Sequence, residues 1–401
     1  MVPKSNTCLG DYFTSSREKG KAGLPVLSVT LNNGIVHRSD LERRTDTNII
    51  PEDHLLVRKG DIAYNMMRVW QGALGRANVD GIVSPAYIVL RAKNGVDCEY
   101  AEYLFKTAKM IYLFWAYSYG ITNDRLRLYF NDFKKIPASL PSIDEQRKIA
   151  RILATWDKAI ETTKLLLKSS QHQKKALMQQ LLTGQKRLPG YTLAWKTRRL
   201  SEVAEIIISP VNKKTEPDEL PVKLCNYTDV YYSNRITKKI DFMQASATKS
   251  EIKKYTLKTG DVLITKDSET PGDIAIPALI AEDLGGVVCG YHLAIIRADN
   301  KNACGDFINH LFSMQKTRYY FFTLATGATR FGLSIGGINK ANFLLPPIDE
   351  QQKISQVLST ADREIEILQQ KLNDLSQEKK ALMQLLLSSK RGVKLDEPEV
   401  A

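Results

Sequence analysis

The sequence predicts an α+β chain: two tandem pseudo-symmetric α/β domains separated by two long helices that form an antiparallel coiled coil. Three observations predict it. The chain repeats itself at a constant shift of 205 residues, two stretches of about 40 residues carry heptad spacing without proline or glycine, and the segments between them alternate strand-like runs with aromatic-rich helical runs.

The repeat comes first. "PSIDEQRKIARIL" occupies residues 141–153 and "PPIDEQQKISQVL" residues 346–358. Without a gap, residues 143–183 match 348–388 at 20 of 41 positions, too many for chance. The strongest blocks are IDEQ (143–146, 348–351) and KKALMQ (174–179, 379–384), and the same shift aligns Arg125 with Arg330 upstream. A tandem duplication follows, with residues 1–141 as a first domain, 142–189 as a first helix and linker, 190–345 as a second domain and 346–401 as a second helix and tail.

Each long helix opens on proline and an acidic pair, Asp144–Glu145 or Asp349–Glu350, which suits the positive end of a helix dipole. At 1.5 Å per residue, some 40 residues make a rod of roughly 60 Å. Spacings of four and three run through Leu153, Trp156, Ile160, Leu167 and Leu177 in the first helix, and Leu358, Ile365, Leu372 and Leu382 in the second. Such a seam argues for a coiled coil. Antiparallel pairing sets Trp156 against Lys379 and Lys174 against Ala361, where the lysine stems snorkel their ammonium groups outward. Residues 142–189 hold 10 Lys/Arg against 4 Asp/Glu and residues 346–401 hold 8 against 10, a bias that favours pairing with each other over self-pairing. The competing arrangement has each helix packed on its own domain.

The two domains share a skeleton. "KGDI" at 59–62 answers "TGDV" at 259–262, and an apolar strand then ends on Arg91–Ala92 or Arg297–Ala298. The loops between these anchors differ, as expected of related domains that read different targets. Gly184, Pro189 and Gly190 in "TGQKRLPGY" end the first helix.

With 401 residues and a net charge of +13, the chain is a multidomain protein suited to a polyanionic partner, nucleic acid first. The five cysteines are scattered and the N-terminus lacks an apolar signal core, which points to the cytoplasm. No nucleotide-binding, methyltransferase or zinc-protease motif is present, the histidines form no ligand spacing, and no catalytic residue, metal site or cofactor is expected. Pro217, Asp218, Glu251 and Lys253 only loosely imitate a nuclease constellation, and charged surface explains them better. For DNA contact the candidates are Arg68, Gln71 and Arg76 in "NMMRVWQGALGR" and Lys266, Asp267, Ser268 and Thr270 in "TKDSETPG". Arg and Gln suit guanine and adenine edges; Lys, Ser and Thr suit phosphates. Arg125 and Arg330 join them as a duplicated basic position, with Arg127 beside the first. Tyr87, Tyr291 and His292 read as packing residues.

Together the proline–IDEQ helices ending in KKALMQ, "GIVSPAYIVLRA", "GDVLITKD" and "GYHLAIIRA" resemble the specificity (S) subunit of type I restriction-modification systems over essentially the whole chain. The resemblance implies two target recognition domains related by a pseudo-twofold axis and held apart by the coiled coil. Each would read half of a bipartite DNA sequence, with the gap set by the helices. It also implies partners: two methyltransferase (M) subunits bringing S-adenosylmethionine, and two restriction (R) subunits bringing ATP and Mg²⁺. Arg147, Arg151, Lys164 and Lys168 on the helix surface would then dock M subunits. The alternatives are a stand-alone nuclease or methyltransferase, and a coiled-coil scaffold that binds protein.

Overall fold

The computed structural model describes residues 7–41, 50–122 and 125–388. The chain divides into two compact units, one made of the residues up to 164 and from 370 on, the other of residues 165–369. Each unit therefore takes one domain, part of the first long helix (Ile143–Leu181) and part of the second (Ile348–Leu387).

In the first unit a four-stranded antiparallel sheet runs in the order Phe13–Ser16, Tyr87–Ala92, Ile62–Asn65, Leu74–Arg76. Its apolar face meets the helices Cys98–Phe105 and Ala108–Ala116 across Phe13, Tyr64, Phe105, Phe114 and Phe133, whose rings pack in stacked and tilted pairs. The second unit repeats the order in Ala204–Ile208, Leu293–Ala298, Val262–Thr265, Pro277–Ile280, and adds Arg235–Ile236 in parallel at the edge. Phe307, Phe312 and Phe321 fill the matching core under the helices Gly305–Ser313 and Gln315–Leu324.

The "GD" motif explains itself here. Gly60 and Gly260 adopt φ of +96° and +90°, a left-handed turn that a side chain would strain. The following aspartates accept the Arg58 and Lys258 amides at 3.0 and 2.8 Å. Asp261 also takes Arg297 of the neighbouring strand in a two-pronged bond of 2.9 and 2.7 Å; Asp61 lies 3.6 Å from Arg91. The motif's buried aspartate and the half-buried "LRA" arginine thus face each other as an ion pair in both domains.

Helix segments pair antiparallel within each unit. In the first, Lys379 bonds Asp157, which also accepts the Tyr103 hydroxyl at 2.6 Å. In the second, Lys174 bonds Asp362 and Ser170 bonds Glu364 at 3.0 Å. Lys174 and Asp157 occupy the repeat positions of Lys379 and Asp362, so each helix gives the lysine at one end and the aspartate at the other. The register is the one expected, one residue beyond Trp156 and Ala361. The lysines do not snorkel; their side chains are 16% and 18% exposed and end on carboxylates. Leu153, Leu167 and Leu358 are buried, and Trp156, Ile160, Leu177, Ile365, Leu372 and Leu382 half-buried. The helices also pack on the domains: Ile149 and Leu153 join Tyr100 and Leu387 in one cluster, and Ile354 and Leu358 join Phe307 and Leu181 in another. Pairing and domain packing are not exclusive: Leu153 meets both the domain's Tyr100 and the second helix's Leu387, and Asp157 bonds both Tyr103 and Lys379.

Candidate nucleic-acid interface

Two turns meet at the same place in each domain. In the first, the turn after strand Ile62–Asn65 meets residues 119–122 and 125–128, which pair between Tyr119 and Arg127. The Leu128 amide donates to the Met66 carbonyl at 3.0 Å, joining the two. In the second domain the turn after Val262–Thr265 meets the segment 326–333, paired between Thr326 and Gly332, and the Leu333 amide donates to the Lys266 carbonyl at 2.9 Å. Gly120 and Gly327 open these hairpins, and a Cβ at either would strike the carbonyl oxygen of Arg125 or Arg330. The duplicated arginines are therefore held beside Gly120 and Gly327 by the same kind of close backbone contact.

Around the first junction Arg68 and Gln71 are exposed, their side chains 3.3 Å apart, on a short helical turn that Gly72 ends at φ +100°. Arg125 and Arg127 are exposed on the neighbouring hairpin. Arg76 stands apart from them. It lies half-buried on strand Leu74–Arg76, 3.3 Å from Glu99 and 3.7 Å from Glu102, and holds the sheet to the helix Cys98–Phe105.

The second junction has different chemistry. Asp267 and Ser268 pair as a short strand with Phe331–Gly332. Asp267 accepts Lys266 and lies 3.2 Å from His292 Nδ1, while the Lys266 ammonium sits 5.5 Å above the ring of Tyr291, itself half exposed. Tyr291 and His292, read from sequence as packing residues, thus flank the loop instead. Ser268 accepts the Tyr227 hydroxyl at 3.3 Å. Thr270 is exposed, as is Arg330, whose nearest carboxylate, Glu269, is 3.8 Å away and in solvent. Where the first hairpin carries Arg127, the second carries Gly332, 205 residues on, and the space is taken by Asp267.

Sequence reading missed two residues of the IDEQ blocks. Gln146 is fully buried and bridges the Pro141 and Gly95 carbonyls and the Asp97 amide at 2.8, 3.0 and 2.9 Å. Gln351 does the same with Pro346, Asn302 and Cys304 at 2.8, 3.1 and 3.0 Å. Glu350, expected only to favour the helix dipole, is buried against Arg187 at 2.7 Å and the Trp195 indole at 3.1 Å. Arg147, Arg151, Lys164 and Lys168 are exposed, Arg147 lying 3.7 Å from Asp144. Glu251, of the nuclease-like pattern, closes the capping box of the helix Lys249–Tyr255 with Thr248. Among the described residues no group of three or more acids, histidines or cysteines is placed to hold a metal, and no helix is long and apolar enough to cross a membrane.

The model of the type I restriction modification DNA specificity domain matches residues 9–169 and again 193–377, one match over each repeat. The chain belongs to this family. As a type I specificity protein it is 23% identical over 373 residues to the type I restriction enzyme MjaVIII specificity subunit of Methanocaldococcus jannaschii, covering 86% of this chain and 82% of that one. A putative MjaX specificity subunit of the same organism is 25% identical over 315 residues, 75% of this chain and 70% of the relative. The fold is that of the type I restriction-modification S subunit from M. genitalium, with a TM-score of 0.57 at 13% identity over 99% of both chains. A chain from a study of complex assembly and conformational transition of the type I restriction-modification system gives 0.52 at 16% identity, over 95% of this chain and 96% of that one. The specificity protein is a DNA-sequence-recognition component, with one recognition domain in each repeat.

Proposed function

We infer that the protein reads a bipartite DNA sequence, one half by each domain, and performs no catalysis itself. It directs adenine methylation by two M subunits, which bring S-adenosylmethionine, and cleavage by two R subunits, which bring ATP and Mg²⁺, in the cytoplasm. One observation carries this reading. The same main-chain bond, Leu128 to Met66 and Leu333 to Lys266, fastens the same two loops in both domains, yet the side chains around it differ: Arg68, Gln71, Arg125 and Arg127 in one, Ser268, Thr270 and Arg330 in the other. An identical mount with different polar groups suits two readers of different base sequences. The exposed Arg147, Arg151, Lys164 and Lys168 are then available to M subunits.

The test is to sequence the methylated bases of cells expressing the chain with its M subunit. A split motif with a fixed gap is expected, and Arg68→Ala with Gln71→Ala alters only one half of it. A continuous motif, or changes in both halves, refutes the division of labour. Methylation or cleavage of DNA by the purified chain alone refutes the non-catalytic role.

A further inference from the structure

Besides the loops, the domains share an exposed stripe. The helix Ala108–Ala116 carries Lys109, Tyr112 and Trp115 on one face, and Gln315–Leu324 carries Lys316, Tyr319 and Phe322 on its equivalent. Counted back from the hairpin glycines, Gly120 and Gly327, the three positions coincide. Phe114 and Phe321, at one shared offset between them, are buried, and packing explains them. It does not explain their neighbours: Tyr112 is 61% exposed, Trp115 46%, Tyr319 67% and Phe322 39%. In both helices the two rings lie 5.8 Å apart, tilted by 35° in the first and stacked at 19° in the second. Neither lysine has a carboxylate partner among the described residues.

We propose that the Lys–Tyr–aromatic stripe grips the sugar–phosphate backbone of DNA independently of sequence, one stripe at each half-site. This rests on the DNA-reading function above and adds residues to it. Loops that read bases differ between the domains; a feature that is the same in both touches a partner that is the same at both half-sites, which is either the DNA backbone or an M subunit, and the lysines and stacked rings favour the backbone. The chemistry agrees: the ammonium of Lys109 or Lys316 pairs with a phosphate, the tyrosine hydroxyl donates to a neighbouring phosphate oxygen, and the ring edges lie on deoxyribose. Position agrees as well. A Cβ on Gly72, in the Arg68–Gln71 turn, would sit 3.8 Å from Ile111 of the first stripe helix. In the second domain Arg318 of the stripe helix donates to the Gly272 carbonyl at 2.6 Å, next to the Thr270 loop.

The experiment uses the complex of the chain with its M subunit. Binding is measured by fluorescence anisotropy on a duplex bearing the methylated motif and on a scrambled duplex, across a salt series. Lys109→Ala with Lys316→Ala is expected to lower both affinities by the same factor, about tenfold, and the slope of log K against log salt by about two. Tyr112→Ala with Tyr319→Ala lowers both affinities equally at an unchanged slope, and Lys371→Ala on the second long helix changes neither. A loss confined to the motif duplex makes these residues base readers and overturns the proposal. Unchanged DNA affinity with loss of the M subunit on purification overturns it too, in favour of a protein-docking face. If the unaltered complex fails to prefer its motif, the sequence-reading function falls instead, and the salt slope of the lysine variant still judges the stripe.

Discussion

Replacing Gln351 by methionine keeps the volume of the side chain and deletes its polar end. Three bonds go, to the Pro346 and Asn302 carbonyls and from the Cys304 amide, all at a buried site. A buried hydrogen bond contributes about 1 kcal/mol net, and a buried group left without a partner costs about 1–3 kcal/mol. Carbonyls tolerate this better than an amide, and Cys304 opens the helix Gly305–Ser313 with no side-chain cap of its own. The expected loss is about 3 kcal/mol, confined to the unit of residues 165–369. For a unit of that size it lowers the melting transition by roughly 6–12 °C. Calorimetry reads the transition, and hydrogen exchange at the Cys304 amide reads the local opening. Gln352→Met is the control, since that side chain is exposed one position on. If the two variants melt within about 0.5 kcal/mol of each other, the glutamine does not hold the helix start to the domain, and its place in both IDEQ blocks needs another cause.

Two further expectations concern the helix pairing. Lys174→Met strands the Asp362 carboxylate at a site 18% exposed and costs about 2 kcal/mol, less than breaking a fully buried pair. Lys174→Asp combined with Asp362→Lys recovers more than half of this in urea unfolding, and a double variant no better than the single one refutes the pairing. His310 faces Asp362 at 3.9 Å, Ser359 at 3.3 Å, and the charges of Lys174, Asp306 and Arg235; burial pulls its pKa down to about 4. The folded state then stays neutral where the unfolded state, at about 6.5, binds a proton, so stability falls as pH drops from 6.5 towards 4. The loss amounts to about 2 kcal/mol at pH 5. His310→Asn flattens that part of the pH–stability curve, and an unchanged slope counts against a neutral buried imidazole.

Much of the frame was legible because it is periodic. Heptad spacing gives the helix seam, the 205-residue shift gives the duplication, and the two together placed Lys379 beside Trp156 and Lys174 beside Ala361. What periodicity does not carry is the destination of a polar side chain. Gln146 and Gln351 bond to backbone groups about 50 residues back along the chain, and a carbonyl leaves no mark in sequence. Arg68 and Arg76 look alike in "NMMRVWQGALGR", and only the fold shows that Glu99 and Glu102 stand over the second. The lysines at the seam looked like snorkelling residues because their aspartates, one position off the seam, read as ordinary surface charge. The exposed stripe escaped notice because its spacing of three is shared by any amphipathic helix, and exposure is a property of the fold.

The way the loops are held bears on how such a protein changes its target. Both loop pairs are fastened by main-chain bonds, Leu128 to Met66 and Leu333 to Lys266, which ask nothing of side-chain identity. Gly120 and Gly327 are fixed by sterics, since a Cβ there would meet a backbone carbonyl. The framework's own demands fall on buried groups elsewhere: Asp261 with Arg297, Gln351 with its loop, Glu350 with Arg187. Exposed substitutions away from such features usually alter stability by no more than about 0.5 kcal/mol. Arg68, Gln71, Arg125, Thr270 and Arg330 therefore lie where residue type is nearly free of folding cost. Arg76 and Asp267 lie where it is not, because each is bound to a half-buried partner. On the reading proposed above, new base preferences are acquired by changing the first group of residues, while the second keeps the loops in place.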